Sequence, residues 1–166
     1  VSIFPILDLS IFFNALITDG KNLPTQKMSV VAHDPRAADF AFGLAGEKAV
    51  IHRIADYLGT PVKLSGGVNI LDVHSDTKMG EIKSRRYKST AFNDWMIGLN
   101  KIEEMTNPDI QYTIFFNLPD GLFAVPYNEE QFSTLIPRDF LRERGYAYDK
   151  VQSVIYIPRD WFIPVP

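Results

Sequence analysis

The sequence predicts an α/β domain in which a mixed central β-sheet is flanked by helices. Three observations predict it. Apolar residues recur at helical spacing between Phe42 and Leu58, two pairs of short apolar runs are each joined by a tight-turn signal, and no Pro-, Gly- or Ser-rich run divides the chain. One domain over 1–166 is therefore expected. With 46% apolar and 13% aromatic residues it can bury an ordinary core, which excludes disorder as its main state.

The elements follow in order. Val1 to Thr18 is apolar, but Pro5, Asp8 and Asn14 interrupt it and no basic residue precedes it. It falls short of a membrane span of about 20 residues and lacks the flanks of a signal peptide. A cytoplasmic or nucleoid-associated protein with no membrane partner is expected, not a secreted one. Gly20 to Asp34 is polar and broken by Pro24, so it reads as a connection, with a short strand at Ser29 to Ala32. In the helix from Phe42 to Leu58, the residues Leu44, Val50, Ile51, Ile54 and Leu58 form the apolar stripe, and Gly59 and Pro61 stop it. Ser65-Gly66-Gly67 reads as a turn, since neither a lysine nor a helix follows to make it a phosphate cradle. Val68 to His74 and Met79 to Arg85 then form a hairpin around Asp76-Thr77.

A second helix is expected over Thr90 to Met105, with Phe92, Trp95, Met96, Leu99 and Ile102 on one face and Asn107-Pro108 as its stop. Ile110 to Leu118 and Leu122 to Tyr127 make a second hairpin around Pro119-Asp120-Gly121, with Phe115, Phe116 and Phe123 as core candidates. A helical patch near Pro137 to Arg144 and a strand at Val151 to Ile157 close the pattern, before Pro158, Pro164 and Pro166 stop regular pairing.

The chemistry gathers around the first hairpin. Strand side chains alternate with period two, so Glu81 and Lys83 share a face while Ile82 points into the core. On the first strand Val68, Ile70, Asp72 and His74 share one face, Leu71 and Val73 the other, and Asp72 is its one acid. With Asp76 and Thr77 central in the turn, Ser75 pairs with Lys78, and the same register brings Asp72 opposite Glu81. Two like charges about 5 Å apart destabilise a sheet unless something offsets them, and a divalent cation would do so. A slip of one residue would send the acids to opposite faces. Glu47 lies three residues after Leu44 and four before Ile51, within the apolar stripe, where a carboxylate costs several kcal/mol unless it is paired or metal-bound. With no cysteine in the chain, any metal must take oxygen or imidazole ligands, which favours a hard cation such as Mg2+.

A helical Glu, an Asp on one strand and Glu-x-Lys on the next resemble the PD-(D/E)XK nuclease superfamily. The resemblance covers GLAGEKAVIHRIADYLG, VNILDVHS and MGEIKSRRYKS and runs to about Lys101, within a core of about 43–128. It departs from the motif's name at Leu71, which stands where Pro would. The resemblance implies a restriction-endonuclease-like core and a Mg2+-dependent endonuclease acting on DNA, with Mn2+ as a substitute. Asp72 and Glu81 would ligate the metal, Glu47 would add a ligand or hold water, and Lys83 would orient or deprotonate the attacking water. A homodimer fits the scaffold, RNA stays open as substrate, and the alternative is a catalytically inactive module of the same fold that binds nucleic acid or protein.

The chain carries a net charge of −3, so attraction to nucleic acid needs a local patch. Between residues 78 and 88, Lys78, Lys83, Arg85, Arg86 and Lys88 stand against Glu81 alone, and such a basic island suits a phosphate backbone. Lys78, Arg85, Arg86 and Lys88 are the candidate nucleic-acid contacts. Tyr87 could stack on a base, whereas Trp95 falls on an apolar face and reads as core. His74 shares the face of Asp72 but reads first as a surface residue. His33 and His52 have no partner at metal spacing, and Arg138, Arg142 and Arg144 read as a solvated helix face.

Overall fold

The computed structural model describes residues 35–66, 70–141 and 151–166. The connection before Asp34 with its strand at Ser29 to Ala32, His33, Val68 and the two arginines Arg142 and Arg144 lie outside these residues. The first described element is the helix α1 (Pro35–Leu58), longer at its start than the apolar stripe indicated. Proline suits a first turn because that turn has no use for its missing N–H. The stop is where the sequence put it: Gly59 takes φ 67°, and the N–H groups of Gly59 and Thr60 bond back to the carbonyls of Asp56 and Ala55.

Among the described residues, nine strands follow in two sheets. The larger is mixed, in the order β1 (Lys63–Leu64), β2 (Val73–His74), β3 (Lys78–Ser84), β5 (Gln111–Leu118), β6 (Gly121–Pro126) and β9 (Ile163–Val165). β1, β2 and β3 pair antiparallel, β3 and β5 parallel, and β5, β6 and β9 antiparallel. The smaller sheet is antiparallel, in the order β4 (Asp94–Gly98), β8 (Val151–Pro158) and β7 (Arg138–Leu141). Two short α-helices, α2 (Leu99–Glu103) and α3 (Glu129–Phe132), and two 3-10 turns, Ser89–Ala91 and Arg159–Trp161, complete the described elements.

β5 shows how the layers stack. Phe115 packs with Val50, Ile54 and Leu58 of α1, whereas its neighbours Ile114 and Phe116 pack with Trp95, Ile97, Ile155 and Ile157 of the smaller sheet. Alternation with period two thus gives the mixed sheet a helix on one face and a second sheet on the other. The mixed sheet with its flanking helix agrees with the expected α/β class, and strands cover its second face. The predicted helix over Thr90 to Met105 is strand β4 followed by the single turn of α2. Trp95 fits the helical face, but Trp95 and Ile97 together fit a period of two, and pairing with β8 selects it: Trp95 lies opposite Ile157 and Ile97 opposite Ile155, all four buried.

Two further expectations change for the same reason, that an unpaired strand edge recruits whatever chain lies beside it. The predicted helical patch near Pro137 to Arg144 contains β7, which pairs with β8 along Arg138 to Leu141. Pro164 does not stop pairing but sits in β9 opposite Phe123, on the outermost strand, where a residue without N–H is tolerated. Arg53 of α1 donates to the carbonyls of Val165 and Pro166 at 2.6 and 2.9 Å and ties that edge to the helix. Among the described residues no helix is long and apolar enough to cross a membrane.

Candidate active site at the edge of the third strand

β3 is covered on both faces, because its parallel pairing with β5 places it between α1 and the smaller sheet. Ile82 enters the α1 side of the core as expected. Glu81 points the other way, beside Ile114, and is also buried, at 1% exposure. A buried carboxylate is costly unless paired, and two ammonium groups meet it. Lys83, two residues on and on the same face, pairs with Oε1. Lys101 of α2 stands 3.0 Å from Oε2, an ion pair whose geometry falls short of a hydrogen bond, so Oε2 keeps a free acceptor site inside the protein. Lys101 also donates to the carbonyl of Ile70, which fixes its reach.

The hairpin register is the expected one: Val73 pairs with Gly80, His74 with Met79, and the N–H of Ser75 donates to Lys78 O at 2.7 Å. The strand is shorter than expected, and the ladder ends at Val73. One residue further out, Asp72 uses its side chain where the backbone pairing has stopped: Oδ2 accepts the N–H of Ile82 at 2.9 Å. Asp72 is thereby held against β3 next to Glu81. The break also alters the face pattern, since Leu71 and Val73 enter cores on opposite sides of the sheet instead of sharing one.

Glu47 arrives from α1. Its neighbour Gly46 makes this approach close, because a Cβ on Gly46 would stand 2.1 Å from Ser84 Oγ and 3.1 Å from Asn117 Nδ2. Asn117 Nδ2 donates to the carbonyl of Gly46 at 3.3 Å and to Ser84 Oγ at 3.2 Å, tying helix, β3 and β5 at one point. Glu47, half-buried, is thus carried to the edge of β3, with Val50, Ile54 and Leu58 continuing its stripe into the core while Leu44 stays exposed.

Burial raises the Glu47 carboxyl above its ordinary pKa, repulsion from Asp72 and Glu81 adds to this, and Lys83 and Lys101 oppose it. Glu81 is raised as well, again chiefly by burial, with Lys83 opposing and Asp72 adding. The five groups form one electrostatic cluster in which three carboxylates outnumber two ammoniums. Among the described residues no three His, Asp or Glu side chains stand close enough to cage an ion unaided. Mg2+ does not require that, since it is commonly held by one or two carboxylates, with water and substrate phosphate completing its shell. Hard oxygen donors, the free acceptor site of Glu81 Oε2 and an excess of carboxylate fit such an ion.

The remaining candidates divide by surroundings. Lys78 points to the α1 side and its ammonium caps the carbonyl of Leu58, which accounts for it as a helix-end contact. Arg85 donates to Ser84 O at 3.0 Å; Arg86 lies 4.1 Å from the centre of the Phe42 ring and 3.2 Å from Asp39; Lys88 is exposed. His74 Nδ1 shares a hydrogen bond of 3.1 Å with Ser65 Oγ, and both line a cavity of about 310 Å³ beside Leu71, Met79 and Glu104. Lys101 is the residue that sequence reasoning passed over. It falls within the predicted second helix, and no spacing rule links it to Glu81 once β4 intervenes. The chain matches no protein-family model and no curated protein.

Proposed function

We propose that this protein is a divalent-cation-dependent endonuclease that hydrolyses phosphodiester bonds in DNA, with its site at the edge of β3. One observation carries the reading: a carboxylate buried at 1% exposure, Glu81, lies between two lysines and beside two further acids. The order of elements supports it. Glu47 sits on a helix, Asp72 directly before one strand, and Glu81 and Lys83 on the next, an order similar to that of the superfamily that the sequence resembles.

Asp72 and Glu81 would hold Mg2+ or Mn2+, with Glu47 assisting. When bound, the ion supplies neutralisation of phosphate charge and activation of water. Lys83, fixed by Glu81, positions or deprotonates the attacking water, and Lys101 places a second positive charge where the phosphate gains negative charge. Water adds to phosphorus, the bond to the leaving oxygen breaks, and that oxygen takes up a proton. Arg85, Arg86 and Lys88 lie directly beyond Lys83 in the chain, where the adjoining backbone phosphates would pass.

A second reading, an inactive module of this fold that binds nucleic acid or protein, is favoured by one observation: both oxygens of Glu81 already face ammonium groups. Incubation of plasmid, branched DNA and RNA with Mg2+ or Mn2+ separates the two. Cutting that is lost in Glu81→Gln and Lys83→Met supports the enzyme. Binding without cutting on any substrate supports the module.

A further inference from the structure

Directly after β3 the chain carries exposed rings among basic side chains. Tyr87 and Phe92 are 59% and 47% exposed, although both are large enough to belong in a core. They stand edge to face, with centroids 5.3 Å apart. Phe92 rests in the same way on buried Trp95 at 5.4 Å, and Trp95 on Phe116 at 6.0 Å. Phe116 is the β5 residue paired with Lys83. An aromatic column therefore begins beside the proposed catalytic lysine and ends in solvent, on the same face of the sheet.

The segment that presents the rings is held in place. The N–H of Arg85 donates to Asn117 O at 3.0 Å, and Ala91 N to Lys88 O at 2.9 Å. Ser89 donates to Asp120 through N–H and Oγ, at 2.9 and 2.7 Å, which ties the segment to the turn after β5. Arg86 is anchored across the Phe42 ring, and Lys88 projects into solvent. Tyr87 follows Lys83 by four residues, a chain reach of at most about 14 Å.

We infer that Tyr87 and Phe92, flanked by Arg86 and Lys88, form a stacking platform for unpaired nucleotides, so that the site at Glu81 and Lys83 takes strands with single-stranded character in preference to intact duplex. In a duplex the base faces are covered by their neighbours and a protruding ring finds nothing to stack on. In a single strand every base offers a face, and the basic side chains meet its phosphates. Fixing the rings before binding removes an ordering cost at the moment of association. The inference rests on the nuclease reading for its link to cleavage, but not for binding.

The test is fluorescence anisotropy of the whole chain in EDTA, so that binding is read without cutting. The probes are labelled oligothymidylate and oligouridylate of about 16 nucleotides and a duplex of equal length at the same salt. Either single strand is expected to bind at least about tenfold tighter than the duplex, and the better of the two identifies DNA or RNA as its source. Tyr87→Ala should weaken single-strand binding by about 5- to 150-fold, the range for loss of one stacked base. Tyr87→Phe should not, and duplex binding should stay unchanged in both. Tyr87 is exposed enough for the variant to fold, and circular dichroism checks this. Equal affinity for duplex and single strand, or wild-type affinity in Tyr87→Ala, overturns the platform even if plasmid is cut. Tight single-strand binding by a protein that cuts nothing leaves the platform standing and overturns the nuclease. If no nucleic acid binds at low salt, the platform is overturned and the rings are left as a protein-docking surface.

Discussion

Glu81 sets the energetics of the site. Its neighbours make a prediction about Lys101 that the motif alone does not contain. Since Lys101 faces Oε2 as Lys83 faces Oε1, Lys101→Met should lower the cleavage rate by about 10²-fold, the usual effect of removing one group that stabilises transition-state charge. Single-turnover rates with the fold checked by circular dichroism measure it, and a wild-type rate would remove Lys101 from the mechanism. A second prediction concerns pH. Glu47 and Glu81 have folded pKa values raised above the ordinary 4.5, so between that value and the raised one the folded state binds more protons than the unfolded state. Stability contributed this way is present at acid pH and is lost as pH rises through the raised values. In metal-free buffer the urea midpoint should fall as pH is raised above 4.5 through the raised values, and the fall should be smaller in Glu47→Gln. An identical fall in the variant would show that Glu47 is not perturbed. At this scale the sequence was readable where periodicity governs: Glu47 on a helix stripe and Glu81 with Lys83 on one strand face. It was silent on Lys101, whose place depends on how α2 packs.

The elements place these residues through two contacts. The first is the close approach of α1 to β3 at Gly46. Alanine favours helix by up to about 1 kcal/mol over glycine, yet its Cβ would stand 2.1 Å from Ser84 Oγ and 2.9 Å from Ser84 Cβ. Gly46→Ala should therefore destabilise by about 1–3 kcal/mol, and Ser84→Gly in the same chain should recover part of it. Denaturant melts of the single and double variants measure this, and a stabilised Gly46→Ala would contradict the described packing. The second contact is the end of the β2 ladder, where Asp72 replaces a backbone partner of β3. The turn at Asp76-Thr77 made that register legible in advance, because antiparallel pairing follows from the turn by counting. The stretch from Phe92 to Ile102 misled, because its apolar residues satisfy a helical face while Trp95 and Ile97 also satisfy a strand. Local pattern carries no information about the β8 partner that decides between them.

Across the described residues, the arrangement is a mixed sheet with α1 on one face and an antiparallel sheet on the other. Both hairpins and the first helix were legible because each is a local pattern closed by a turn or stop. The second sheet was not, since β4, β7 and β8 exist through pairing between distant segments. The site lies where the mixed sheet loses a strand pair, with carboxylates from a helix, a strand end and a strand interior. An ion that binds this excess of carboxylate in the folded state alone must stabilise the whole chain. Mg2+ at 100 times its Kd should add about 2.7 kcal/mol, read as a raised Tm in wild type and an unchanged Tm in Glu81→Gln. The mechanism proposed depends above all on these acids gathering a divalent cation. Calorimetric titration of the protein with Mn2+, beside Glu81→Gln, tests it most directly. Saturable binding to wild type that weakens at least tenfold in the variant is expected. Equal binding to both, or none to either, would contradict it.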